Sequence, residues 1–346
     1  MPQAGRVGFR VLVMTPEQAF WVMAPGTGEL RPQPLPEPGT GEVRVRTRFS
    51  AISRGTESLV FHGRVPESQY QAMRAPFQEG AFPGPVKYGY ISVGVIEGGE
   101  AGGDSGIEPG QRVFCLYPHQ SAYVVPATAV VPIPDAVPSE RAVLAANLET
   151  AINAVWDARV GPGDRIAVIG AGVVGLLAAW LLRAIPGTEV SVIDPNPARA
   201  AVAERLGLRL ATPAAAAADA DLQGLDRVLH ASGNPDGLTQ ALALAGVEAR
   251  VVEMSWYGDR AVPVPLGEGF HSRRLTLRSS QVGRLPPDRA ARWDYRRRLA
   301  LALSLLTEPA LDALITGEDA FADLPTVMAR VTGPEAAQTL CHRIRY

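Results

Sequence analysis

The chemistry most clearly spaced in this chain lies in Gly170-Ala171-Gly172-Val173-Val174-Gly175. It is preceded by the apolar run Arg165-Ile166-Ala167-Val168-Ile169, which reads as a buried strand, and followed by Leu176-Leu177-Ala178-Ala179-Trp180-Leu181-Leu182, which reads as a helix. In a chain with 35 glycines such a hexad arises easily by chance, but between a strand and a helix it has a mechanism. Gly170 allows a tight turn, Gly172 lets backbone approach a pyrophosphate, and Gly175 lets the helix pack close to the strand. Val173 and Val174 then open a helix whose N-terminal amides face phosphate charge. A second strand, Glu189-Val190-Ser191-Val192-Ile193, ends in Asp194, at the offset where a carboxylate accepts hydrogen bonds from the adenosine ribose. A fixed carboxylate there repels a 2′-phosphate, so NAD(H) is expected in preference to NADP(H). Arg199, five residues on, keeps the alternative open, since it could reach a phosphate, cover the adenine or pair with Asp194.

The elements that must position this motif alternate strand and helix from about residue 141 to 283. After Asp194 come a helix around 198–206, the helical tract Ala214–Ala218, and the strand Arg227-Val228-Leu229-His230. That strand ends in Ala231-Ser232-Gly233, and Ser232 and Gly233 are expected at the cofactor. A helix at 238–244 and strands at 249–252 and 275–278 complete a parallel sheet with helices on both faces. Residues 1 to about 140 differ. They are rich in Pro and Gly and carry short β-branched runs such as Glu42-Val43-Arg44-Val45-Arg46-Thr47, which suggests a compact β-barrel or sandwich. The tail predicts a helix over 288–306, with Arg292, Arg296, Arg297 and Arg298 on a solvated face, and a last strand near Cys341–Tyr346 that returns to the first domain.

Composition narrows the function classes. A length of 346 residues suggests about two domains. The net charge of −2 gives no reason to expect nucleic acid or an anionic membrane as partner. Two cysteines, Cys115 and Cys341, make no disulfide framework, no apolar run approaches a spanning helix, and Met1–Val13 lacks a signal peptide's apolar core. A cytoplasmic enzyme acting on a small molecule is the expectation.

A β-rich module, a nucleotide fold and a short return segment resemble the layout of the medium-chain dehydrogenase/reductases. Pro109-Gly110-Gln111-Arg112-Val113 is similar to that superfamily's G-D-x-V turn, and Glu149-Thr150-Ala151-Ile152-Asn153-Ala154 to its T-A-x-x-A helix. Ser279-Ser280-Gln281-Val282-Gly283 resembles the segment passing beside the nicotinamide. The local phrases Ile52-Ser53-Arg54-Gly55-Thr56-Glu57-Ser58-Leu59, Gly63-Arg64-Val65-Pro66 and Tyr88-Gly89-Tyr90 resemble the bacteriochlorophyllide a dehydrogenase-like group. The resemblance implies a GroES-like barrel from residues 1–146 and 284–346, a Rossmann domain over 147–283, Thr150 and Ser280 at the cofactor, and a homodimer.

It also marks what is missing. Where zinc members carry Cys in C-G-T-D, His in G-H-E and a third ligand before the T-A helix, this chain has Arg54, Tyr90 and Ala146. None of these binds zinc; shifted ligands from His62, His119, Glu57 and Glu149 are the alternative, and no metal is the expectation. Hydrogen-bond donors would then act on the substrate oxygen. Tyr90 stands in the lost His position, and Thr56 matches the hydroxyl that starts the family's proton relay. Arg54 could stabilise an alkoxide or form a structural ion pair with Glu57. Lys87 is a further donor nearby, and Trp256 and Tyr257 follow the fifth strand, where they could wall the nicotinamide or substrate. The reading that results is a zinc-independent, NAD(H)-dependent alcohol/carbonyl oxidoreductase. Reduction of a C=C bond or quinone, and a non-catalytic dinucleotide-binding module, are the alternatives.

Overall fold

The computed structural model describes residues 16–99 and 106–346; Met1–Val13 lies outside them. The chain opens with β1 (Gln18–Ala24), β2 (Thr27–Pro32), β3 (Glu42–Ile52) and α1 (Arg54–Phe61). Short strands follow: β4 (Glu79–Gly80), β5 (Val86–Lys87), β6 (Ser92–Gly99), β7 (Arg112–Cys115), β8 (Ala122–Pro126) and β9 (Val130–Pro132). Along β3 Val43, Val45 and Thr47 are buried while Arg44 and Arg46 reach outward, the alternation of a half-buried strand. β3 is the hub of this region, pairing antiparallel with β6 and β8. α2 (Ser139–Ala142) and α3 (Ala145–Ala158) lead into the second region.

There β10 (Arg165–Ile169), α4 (Val173–Leu182), β11 (Glu189–Ile193), α5 (Arg199–Arg205), β12 (Arg209–Ala211) and α6 (Pro213–Ala218) alternate. β13 (Leu225–His230), α7 (Pro235–Leu244), β14 (Ala245–Glu253) and β15 (Thr276–Ser279) complete the sheet. Its order is β12-β11-β10-β13-β14-β15, every neighbour parallel. This is the doubly wound arrangement, with β10 at the topological switch point. Ile166 to Ile169 are all buried because helices cover both faces. β12 was not anticipated; its three residues are held by pairing with Ser191–Ile193 rather than by any pattern of their own.

The tail corrects one expectation. The helix expected over 288–306 is broken into α8 (Pro287–Ala290) and α9 (Tyr295–Leu305), and the Asp294 carboxylate caps α9 by accepting from the Arg297 amide at 2.7 Å. Nor is the arginine face uniformly solvated. Arg298 is 2% exposed, and its guanidinium donates to Glu149 Oε1 at 3.0 Å, to Asn153 Oδ1 and to the Val282 carbonyl at 2.6 Å. Arg296 donates to the carbonyls of Thr128 and Val130. These arginines fasten α9 to α3 and to the β-rich region. Finally β16 (Ile315–Ala320), α10 (Leu324–Thr332) and β17 (Cys341–Arg345) close the chain, and β17 pairs antiparallel with β3. Among the described residues no helix is long and apolar enough to cross a membrane.

Candidate active site and dinucleotide cleft

The glycine loop shows why each glycine is there. Gly170 has φ +107°, and a Cβ on it would stand 2.7 Å from the Ser232 nitrogen. A Cβ on Gly175 would meet the Gly170 carbonyl oxygen at 2.0 Å. Both are required by the chain's own packing. Gly172 is not: a Cβ there meets nothing within 4 Å. An open glycine between two obligatory ones fits the close approach of a bound pyrophosphate. The loop forms one wall of a cleft of about 710 Å³, which Asp194, Arg199, Ser232 and Asn234 also line.

Asp194 is fixed by backbone. Its Oδ2 accepts from the Ala171 amide at 2.7 Å and its Oδ1 from the Asn196 amide at 2.8 Å. Two of its acceptor sites remain for ribose hydroxyls. Arg199 does not form the ion pair with Asp194 weighed for it from sequence. It is buried, and its guanidinium donates to the carbonyls of Ala337 at 2.6 Å, Gln338 at 3.1 Å and Thr339 at 3.3 Å. Burial lowers its pKa, with Asp194 partly opposing. Val173 and Val174, in the first turn of α4, are half-buried beside the loop.

At the end of β13 the Ser232 hydroxyl lies 2.6 Å from His230 Nε2, and His230 Nδ1 lies 2.7 Å from the Glu253 carboxylate. The Tyr257 hydroxyl donates to the same carboxylate at 3.2 Å, and the Gly233 amide donates to Ser255 Oγ at 3.0 Å. Burial, the largest single influence, pushes the Glu253 pKa up, but the hydrogen bond and charge of His230 and the hydrogen bonds from Ser255 together outweigh it, and the net shift is downward. His230 and Glu253 escaped the sequence reading. The available signal was a polar residue ending each of two apolar strands, and parallel pairing sets them side by side. Two residues expected at the cofactor have their hydroxyls occupied. Thr150 donates to the Ala146 carbonyl at 3.0 Å, and Ser280 donates to Asp157 Oδ2 at 2.8 Å, turned towards α3.

In the β-rich region Tyr90 and Thr56 are brought together. The half-buried Tyr90 hydroxyl donates to Ser53 Oγ at 2.6 Å and also bonds Thr56. Burial first, and the Glu57 charge second, push the Tyr90 pKa up to about 12, so the phenol is neutral at physiological pH. Ser53 was not singled out from sequence. Behind it, Glu57 Oε1 accepts from the Ser53 amide at 2.8 Å, and Glu57 Oε2 lies 2.9 Å from His119 Nε2. His119 Nδ1 lies 2.8 Å from Ser50 Oγ, which is 3.1 Å from the Tyr346 hydroxyl.

Arg54 and Lys87 are placed differently from expectation. No Arg54–Glu57 ion pair forms, because Glu57 is committed to His119 and Ser53. The Arg54 guanidinium instead donates to the carbonyls of Val331 at 2.9 Å and Thr339 at 2.6 Å, and burial and the nearby Arg199 lower its pKa. It faces the tail, not Tyr90. Lys87 is buried with its ammonium on Glu79 and on Gln120 Oε1 at 2.7 Å, 5.3 Å from the Tyr117 ring centroid. Its donors serve the barrel interior. Ala146, the third position of the zinc pattern, is buried at the start of α3. Among the described residues no group of three His, Cys, Asp or Glu side chains could hold a metal ion. Trp256 packs on the apolar cluster of Val60, Phe61 and Phe82, so the segment after β14 bridges the regions that hold Tyr90 and the glycine loop.

Solved structures share the fold. A dehydrogenase from E. coli CFT073 complexed with NADH superposes with a TM-score of 0.76 at 18% identity, over 95% of this chain and 99% of that one. A Sinorhizobium meliloti 1021 protein described as a zinc-binding dehydrogenase, bound to NADP, gives 0.77 at 20% identity, over 96% and 100%. The chain has the medium-chain dehydrogenase fold. In sequence it is 31% identical over 165 residues to the L-galactonate-5-dehydrogenase of E. coli K12. That alignment spans 45% of this chain and 47% of the relative, less than half its length. No protein-family profile matches the sequence.

Proposed function

We propose that this medium-chain dehydrogenase interconverts an alcohol and a carbonyl compound with NAD(H), without a catalytic zinc. The observation that carries the reading is the Tyr90 hydroxyl, neutral and gripped by Ser53 and Thr56, at the position where zinc members have a ligand. Bound NAD(H) would supply or accept the hydride. In the reductive direction Tyr90 gives its proton to the carbonyl oxygen, the phenolate left behind is reprotonated from solvent, and Thr56 and Ser53 fix the angle of approach. Arg54, Tyr90 and Ala146 support the zinc-free reading, since none is a zinc ligand. The fixed Asp194 carboxylate and the commitment of Arg199 to three carbonyls support NAD(H) over NADP(H). The galactonate relative favours a polyhydroxylated secondary alcohol as substrate class. The near-zero net charge and the free, buried cysteines agree with a cytoplasmic enzyme of small molecules, with no nucleic-acid or membrane partner. A homodimer is the assembly expected on general grounds.

The test is a panel of secondary alcohols, sugar acids, ketones, enones and quinones assayed with NAD(H), on protein purified without added metal. Turnover of alcohols and ketones with well under one zinc per chain is expected. Stoichiometric zinc that activity requires, or turnover confined to enones or quinones, overturns the reading.

A further inference from the structure

We propose that the buried Glu57–His119 pair is the positioning device of Tyr90: it fixes the turn whose Ser53 hydroxyl grips the phenol and holds a carboxylate behind that contact. This rests on the reading of Tyr90 as the donor. Glu57 and His119 are 3% and 1% exposed, and neither faces the dinucleotide cleft. Burying a carboxylate is costly unless it is fully hydrogen-bonded. This one is satisfied at both oxygens, by the Ser53 amide at 2.8 Å and by His119 at 2.9 Å. Ser53 is the residue whose hydroxyl accepts the Tyr90 hydrogen bond, so the carboxylate anchors the backbone on which the phenol's partner is mounted.

The charged and titratable groups around Tyr90 come from four directions. α1 contributes Glu57; Arg54, on the same helix, turns away to the tail. The segment before β6 contributes Tyr88, edge-on with ring centroids 6.1 Å apart. The turn after β7 contributes His119, and the chain end contributes Tyr346, linked to His119 through Ser50. Glu57 is thus the acid that opposes phenolate formation at Tyr90, and it does the same at Tyr88 and Tyr346. His119 is its basic partner. A neutral imidazole leaves the full carboxylate charge acting on the phenol, whereas an imidazolium cancels much of it.

Glu57→Gln separates charge from geometry. The amide oxygen can still accept from the Ser53 amide, and its NH₂ can donate to a His119 imidazole carrying its proton on Nδ1. Tyrosine ionisation followed at 295 nm between pH 8 and 11.5 should show one more phenol titrating within that range in Glu57→Gln than in the wild type, where Tyr90 stays above it. That component should vanish in Glu57→Gln/Tyr90→Phe. An unchanged profile, or a shift that survives the double substitution, overturns the proposal. Because the readout needs no turnover, a shifted titration with an unimpaired Tyr90→Phe enzyme would defeat the donor reading alone. If Glu57→Gln does not fold, His119→Gln is the second variant. It should lower kcat several-fold while the KM for NADH stays constant, because the Ser53 turn loses its anchor, and an unchanged kcat overturns the proposal.

Discussion

A carboxylate–imidazole pair stands behind a hydroxyl in each half of the molecule. In the dinucleotide-binding half, Glu253 and His230 back Ser232. In the β-rich half, Glu57 and His119 back the Ser53–Tyr90 contact. The first pair is made by neighbouring strands in register, so parallel pairing delivers it. The second joins a helix to a turn 62 residues away and depends on the closure of the barrel. The first shapes a cleft for a ligand common to many enzymes. The second backs the phenol proposed here as the proton donor, and the two should therefore fail differently when broken.

The largest effect is expected at Tyr90. Tyr90→Phe should lower kcat by roughly 10²–10⁴ and leave NADH affinity nearly unchanged. Turnover at the wild-type rate would return Tyr90 to a packing role and leave the β-rich half without its donor. The glycine loop provides the converse test. Gly172→Ala should fold with an unchanged Tm, because open space receives the methyl group, yet weaken NADH by roughly tenfold or more, about 1.4 kcal/mol. Gly175→Ala should instead destabilise the fold by about 1–3 kcal/mol, because its Cβ meets backbone. Equal stability losses in the two variants would show that Gly172 is also structural. The smallest effect is cofactor choice. NADH should bind at least roughly tenfold more tightly than NADPH at one ionic strength, a margin that one misplaced charge contact can supply. Asp194→Ala should shrink that margin mainly by weakening NADH. Equal affinities in the wild type would mean that Arg199 leaves its carbonyls for the phosphate.

The contrast also explains what was legible in the sequence. The strand–glycine–helix unit and Asp194 are spaced along a short stretch of chain, so their contacts follow from local periodicity and the fixed geometry of a parallel sheet. Tyr90 and Thr56 could be placed only through the family pattern, because the strands that bring them together carry no spacing rule. Ser53 and Ser50 stayed unassigned for the same reason, and His119 was legible only as a shifted metal ligand, not as the partner of Glu57. Arg54, Lys87 and Arg298 show a further limit. A long cation in sequence looks available for catalysis or solvent, but its fate depends on which carbonyls and carboxylates the tertiary fold puts within reach. Lys87 found Glu79 and Gln120, and Arg298 found Glu149.

One of those arginine contacts bears on how the enzyme would breathe. Arg54 belongs to the half that holds Tyr90, Arg199 to the half that holds Asp194, and both donate to the Thr339 carbonyl. The stretch from Val331 to Thr339 is therefore a strap buckled at both ends. Swinging the halves apart to release a nucleotide cannot preserve both buckles, so each opening must exchange arginine–carbonyl bonds for water. The side that lets go decides whether the strap rides with the substrate or with the nucleotide.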